Sequence, residues 1–370
     1  MNNLTIKIIR FILPVLLLAS CGEEKEGFSV KGRVQNMEEK KIFAVYWKSD
    51  KTICTDTLLL SKNGHFKMDG NMDSVGVVTL LVNRRQWTSV FVHNGDDVSV
   101  TMDAQYPDLA QVKGGKLNDD LYDFKKNIKN LIIEKDEISK VVAEACSGEE
   151  INTAVIETLN PKLANLNHAL SLSAEHYVKD HPESLVSTVV MLDFLCLEEN
   201  TEKLTKTLSL LEEPAKSFYL AEYMRSVSKN MQNVEIGKKA PSFVLPDTLG
   251  HNVSLSDFRG KYVLLHFWIS NDPFSRIHNR LDLENIHQNY REKKDFSLLG
   301  ISLDLNKESW KQSVKQDNMT WCNVSDLKGL NSEVVKSYGV VFVPRNFLIN
   351  PSGTIIARDV TLNDLKSVLR

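Results

Sequence analysis

Residues 28–115 alternate between apolar and polar positions. Phe28-Ser29-Val30-Lys31-Gly32 puts successive side chains on opposite faces, the period of a half-buried strand. Lys41 to Lys48 is aromatic and β-branched. Asn63-Gly64 separates Thr57-Leu58-Leu59-Leu60 from His65-Phe66-Lys67-Met68, and Asn94-Gly95 separates Ser89-Val90-Phe91-Val92 from Val98-Ser99-Val100-Thr101. Asn-Gly between such runs signals a hairpin, because both residues tolerate positive φ. The pattern predicts an antiparallel, sandwich-like β domain over 28–115.

From 116 to 232 the period becomes helical: Leu121, Phe124, Ile128, Leu131 and Ile132 share one face. Asn160-Pro161 and His181-Pro182 are expected breaks, and Leu185 to Leu192 reads as a buried helix. The region is expected to be a helical spacer packed on its neighbours. Asn233-Val234-Glu235-Ile236-Gly237 leads into a last domain, 233–370, where strand and helix patterns alternate as in an α/β sheet with crossovers. Tyr262 to Trp268 is nearly all apolar, as a central strand buried on both faces requires. Helices are expected over Pro273 to Lys293, Lys307 to Gln316 and Leu362 to Leu369. A strand is expected over Phe296 to Leu303, and a hairpin around Pro351-Ser352-Gly353. The fold class is α+β multidomain: antiparallel β domain, helical middle, C-terminal α/β domain.

Residues 1–20 read differently. Lys7 and Arg10 precede an apolar run, Phe11 to Ala19, which is too short to span a bilayer. The run ends in Leu18-Ala19-Ser20-Cys21, which resembles a bacterial lipobox; the resemblance implies acylation of Cys21 after removal of residues 1–20. Residues 21–27 would be a solvated tether. The expected location is the cell envelope, lipid-anchored to the outer membrane and facing the periplasm or cell surface. Net charge is −3; losing Lys7 and Arg10 with the leader lowers it by two, to −5. Such a chain lacks the electrostatic footprint of a nucleic-acid binder. Cys54, Cys146, Cys196 and Cys322 remain, in a compartment that permits disulfides. Their three possible pairings are not distinguished by sequence. None has CxxC or zinc-ligand spacing, so no metal or cofactor is expected.

The segment Phe267-Trp268-Ile269-Ser270-Asn271-Asp272-Pro273-Phe274-Ser275-Arg276 resembles the active-site segment of the thioredoxin superfamily, in its TlpA-like, AhpC/TSA-type branch. There the pattern reads Phe-Trp-x-x-x-Cys-Pro-x-Cys-Arg. Gly237 to Phe243, Val253 to Lys261, Leu299 to Asp304 and Val343 to Ile349 resemble further segments of that family in order and spacing, so the likeness covers roughly residues 235–370. The resemblance implies a thioredoxin-like fold. By layout, the β domain resembles the domain of unknown function that often precedes TlpA-like domains in lipoproteins.

Asp272 and Ser275 stand where the family has its two cysteines. Exchange needs an attacking thiolate and a resolving thiol, so the dithiol cycle is chemically unavailable to them. Asp272-Pro273 reads as N-cap and first helical residue. Carried over from the family, His266 lies behind Ser275, and a His–Ser pair is the raw material of an activated hydroxyl; the plainer reading is a core histidine. Pro344 matches the family's cis-proline and Val343 the residue whose backbone meets an extended peptide; with Trp268 and Arg345 they form the expected binding set. Arg276 is expected to pair with Asp272, four residues earlier. The favoured function is non-catalytic binding of an envelope protein or extended peptide. The alternative is thiol-disulfide exchange through a non-motif cysteine such as Cys322.

Overall fold

The structure, a computed structural model, describes residues 27–37, 39–48, 52–83, 86–147, 152–196 and 200–369. The expected leader, Cys21 and all but the last residue of the tether lie outside the described residues.

Eight strands form two four-stranded sheets: β1 (Phe28–Gln35), β2 (Lys41–Trp47), β3 (Ile53–Leu59), β4 (His65–Gly70), β5 (Gly76–Asn83), β6 (Gln86–Val92), β7 (Asp97–Asp103) and β8 (Gln111–Lys113). One sheet runs β4-β1-β7-β8 and the other β3-β2-β5-β6. Their facing side chains, among them Val30, Ile42, Leu80, Val90, Val100 and Met102, make one core. Two expectations are corrected. The pairing of β1 with β7 is parallel, within an otherwise antiparallel domain. The Asn-Gly turns do not join paired strands either: both carry the chain from one sheet to the other, Asn63-Gly64 from β3 to β4 and Asn94-Gly95 from β6 to β7. Gly64 has φ +78°, and a Cβ there would fall 2.1 Å from the Val34 carbonyl oxygen, so the corner requires glycine.

The middle region comprises α1 (Lys116–Asn127), α2 (Lys129–Ser147), α3 (Thr153–Asp180), α4 (Leu185–Val190), α5 (Thr201–Leu208) and α6 (Tyr219–Asn233). His181 ends α3 as expected, but Pro161 lies inside that helix rather than breaking it. Val186 to Leu195 is buried but for the half-buried Leu192, α4 continuing into a π-helical turn. These helices share their core with Val77 and Phe91 on the outer face of the second sheet. The junction is also hydrogen-bonded: Tyr219 Oη accepts the Val77 N–H at 3.0 Å, and Asn118 both accepts from and donates to the Phe91 backbone.

The last domain has β9 (Val244–Pro246), β10 (Asn252–Ser254), β11 (Tyr262–Trp268), α7 (Pro273–Ile277), α8 (Glu284–Tyr290), β12 (Phe296–Ser302), α9 (Lys307–Gln316), β13 (Cys322–Val324), α10 (Glu333–Ser337), β14 (Arg345–Ile349), β15 (Ile355–Arg358) and α11 (Leu362–Val368). Five strands order β13-β12-β11-β14-β15, with β11 central, parallel to β12 and antiparallel to β14. The helix expected over Pro273 to Lys293 is two α segments joined by a π-helical turn, His278–Leu283. β11 buries Leu264 and Trp268 on one face, and Val263, Leu265 and Phe267 on the other. Each such side chain contributes roughly 1.5–3 kcal/mol. The domain touches the β sandwich through Asn331, whose amide accepts the Ile53 N–H at 3.2 Å and donates to its carbonyl at 3.0 Å.

Candidate functional site

The turn after β11 is held from below by one buried carboxylate. Asp304, just beyond β12, accepts the Ser270 N–H and hydroxyl and, at 2.7 Å, the Ser302 hydroxyl. A buried carboxylate needs such donors to remain in a core. The chain then enters α7. Asp272 Oδ2 accepts the Ser275 N–H at 2.8 Å, so the side chain satisfies one of the four orphan donors of the helix start.

Arg276 does not neutralise Asp272 in the way the spacing suggested. Its guanidinium forms a fork on Asp317, with Nη2 donating to Oδ1 at 2.6 Å and Nε to Oδ2, while Nη1 reaches the Ser270 carbonyl at 3.3 Å. Asp317 is buried at the end of α9, and a bidentate partner outcompetes a capping carboxylate already engaged by backbone.

His266 is fully buried in β11, where Nε2 lies 2.9 Å from Asn279 Oδ1. Burial lowers its pKa well below the ordinary histidine value, and the neighbouring His278, with ring centroids 5.0 Å apart, lowers it further. The ring is therefore neutral at physiological pH. No hydrogen bond joins His266 to Ser275; the ring pairs with Asn279, one helical turn further along. Ser275 Oγ is fully buried and takes no hydrogen bond among the described residues. A hydroxyl without a base and without access is not an activated nucleophile.

Trp268 is also buried, its indole N–H donating to Asn323 Oδ1 at 3.1 Å. It supports the sheet and has no surface for a peptide. Val343, joined to Pro344 by a cis bond, is partly exposed, as are Pro344 and Arg345. Arg345 pairs with Asp359 at 3.1 Å. Cys322 begins the edge strand β13, half-buried and free; burial and the Asp247 carboxylate raise its pKa, which keeps the thiol protonated and a poor attacker. Cys54 and Cys196 are free as well. Among the described residues, no group of three or more His, Cys, Asp or Glu side chains is placed to hold a metal ion.

A contact from outside the domain completes the site. Ile277 and Phe274 of α7 share an apolar cluster with Ile138 and Val142 of α2, and Ile156 and Leu159 of α3 pack on the same cluster. Thus α2 lies on α7, and Asp272 and Ser275 at the start of that helix are 2% and 0% exposed. Asn279, Asp317, the anchoring role of Asp304 and this apolar contact were absent from the sequence reading. Ile138 and Val142 sit at helical spacing on an apolar face, a signal that names no partner.

Residues 236–358 match the AhpC/TSA family, and residues 28–121 match a domain of unknown function, DUF4369. The thiol-disulfide oxidoreductase ResA of Bacillus thuringiensis subsp. konkukian is 32% identical over 126 residues, covering 34% of this chain and 69% of that protein. The chain belongs to the thioredoxin-like thiol-disulfide oxidoreductase family. The ResA protein of Geobacillus kaustophilus is 31% identical over 137 residues, covering 36% of this chain and 75% of its own. A solved thiol-disulfide oxidoreductase from Bacteroides fragilis aligns with 39% identity over 36% of this chain and 97% of its own, at a TM-score of 0.34. Within this family the chain carries the thioredoxin-like frame with Asp272 and Ser275 at the turn.

Proposed function

We propose that this protein is a lipid-anchored envelope protein whose thioredoxin-like domain binds an envelope protein or extended peptide and does not exchange disulfides. The observation that carries this reading is the Asp272 cap. A carboxylate sits at the helix start where exchange chemistry would need a thiolate. Its partner position is a buried hydroxyl, and α2 packs on the helix that these two residues begin. Folding is served by that arrangement, since a cap contributes ~1 kcal/mol. Binding would use the partly exposed segment Val343-Pro344-Arg345, where strand addition requires backbone and not sulfur. The lipobox supports anchoring through Cys21 on the outer membrane, facing the periplasm or cell surface.

Capture of envelope proteins on the immobilised protein, with wild type beside Val343→Asp, tests the binding surface. A captured partner lost in Val343→Asp supports it. The same partners retained by both proteins would remove this segment from the binding site.

A further inference from the structure

A cavity of about 160 Å³ lies where the β sandwich, the middle helices and the thioredoxin-like domain meet. Trp47 and Trp87 wall it from the sandwich, Tyr223 and Val227 from α6, Cys196 from the end of the buried π-helical run, and Phe342 from the segment leading to Val343-Pro344. We infer that this cavity is a binding site for a small, uncharged aromatic molecule.

Size sets the first limit. An apolar cavity of ~150 Å³ holds a single aromatic ring and is poorly hydrated when empty. The walls suit a ring as well. Trp47 stands edge-on to Tyr223, with centroids 5.4 Å apart and planes at 63°. A flat guest lying against this contacting pair meets a face of one ring and an edge of the other, the arrangement that aromatic quadrupoles favour.

Polarity sets the second limit. Asp193 touches the cavity but is engaged: it accepts from Trp87 Nε1 at 2.9 Å and from the Ser89 hydroxyl, and lies 3.5 Å from Lys125 Nζ. Asn200, also on the wall, accepts the Lys203 N–H at 2.9 Å. Neither calls for a polar guest. Asp193 belongs to a buried cluster in which Asp108, Asp136 and Asp193 face Lys125 and Lys135, three carboxylates to two ammonium groups. An anion entering there meets Asp193, a carboxylate whose own charge burial already disfavours. A cation would leave water for a carboxylate already paired. The Cys196 thiol, protonated by burial, adds an apolar surface and no reactive group.

All three domains contribute walls, so a ligand here binds the docked arrangement and stabilises it by mass action. The site is independent of the chemistry at Asp272. Toluene is the probe, added to the purified chain while thermal unfolding and tryptophan fluorescence are followed. The expected result is a rise of about 1–3 °C in unfolding temperature with a change in emission. Benzoate and benzylamine, similar in shape but charged, should leave both signals unchanged. Val227→Phe and Leu204→Phe each fill the space from a different helix, so one remains informative if the other fails to fold; a folded variant should lose the toluene response. No toluene response, a response that a folded filling variant retains, or an equal response to either charged analogue overturns the assignment.

Discussion

Asp272 Oδ2 accepts the backbone N–H of Ser275 at 2.8 Å, so the two positions at which the family resemblance would put cysteines are joined as a helix cap. The bond uses the carboxylate for folding. Asp272→Ala should destabilise the protein by ~1 kcal/mol, read as a lower denaturant midpoint at unchanged slope. Asp272→Asn keeps a capping oxygen and should fall close to wild type. Equal losses for the two variants would mean that something other than the cap fixes the turn.

Burial at the start of α7, against which α2 packs, has its own signature. Ser275→Cys should resist a maleimide reagent in the folded protein, because the side chain at that position is fully buried. Val142 is the fully buried α2 member of the contact with Ile277. Val142→Asp places an unpaired charge there and should open the contact. Labelling of Ser275→Cys in that background should accelerate at least tenfold. Rapid labelling in the single variant would show that the helices do not shield the turn.

The charge cluster between sandwich and helices predicts a pH dependence. Burial raises the Asp136 pKa to about 6, against attraction from Lys135. A carboxylate raised in the folded state stabilises fully below its unfolded value and loses that contribution as pH rises through the folded value. From pH 4 to pH 7, wild type should therefore lose on the order of 2–3 kcal/mol through this group. Asp136→Asn should not, so the variant gains on wild type as pH rises. A stability difference that stays constant over this range would remove Asp136 from the titration.

Anchoring is tested at Cys21. Cys21→Ser removes the thiol that acylation requires, and the protein should remain unprocessed or leave the membrane fraction. Normal processing together with membrane retention would reject the lipobox reading.

The elements of the last domain were legible because their signals are local. Tyr262 to Trp268 is apolar but for His266 since both faces of β11 are covered, and Asp272-Pro273 shows its cap within two residues. Longer-range partners were not. Asn63-Gly64 announces a turn, but the turn is local and the choice of sheet is not, so a corner between sheets read as a hairpin. Arg276 lies one helical turn from Asp272, yet its partner Asp317 comes from α9, 41 residues away. Pro161 is a strong breaker by composition, but α3 continues through it, with Leu166, Leu170, Ala174 and Val178 buried beyond. The docking of α2 on α7 depends on apolar faces whose sequence would suit many neighbours.

Whether the turn exchanges disulfides is decided by turnover of a disulfide substrate with a reductant, using wild type beside Cys322→Ser. With Asp272 and Ser275 at the turn and the Cys322 thiol held protonated, both proteins should match the buffer control. Turnover in wild type that disappears in Cys322→Ser would make Cys322 a monothiol centre and the protein an oxidoreductase after all.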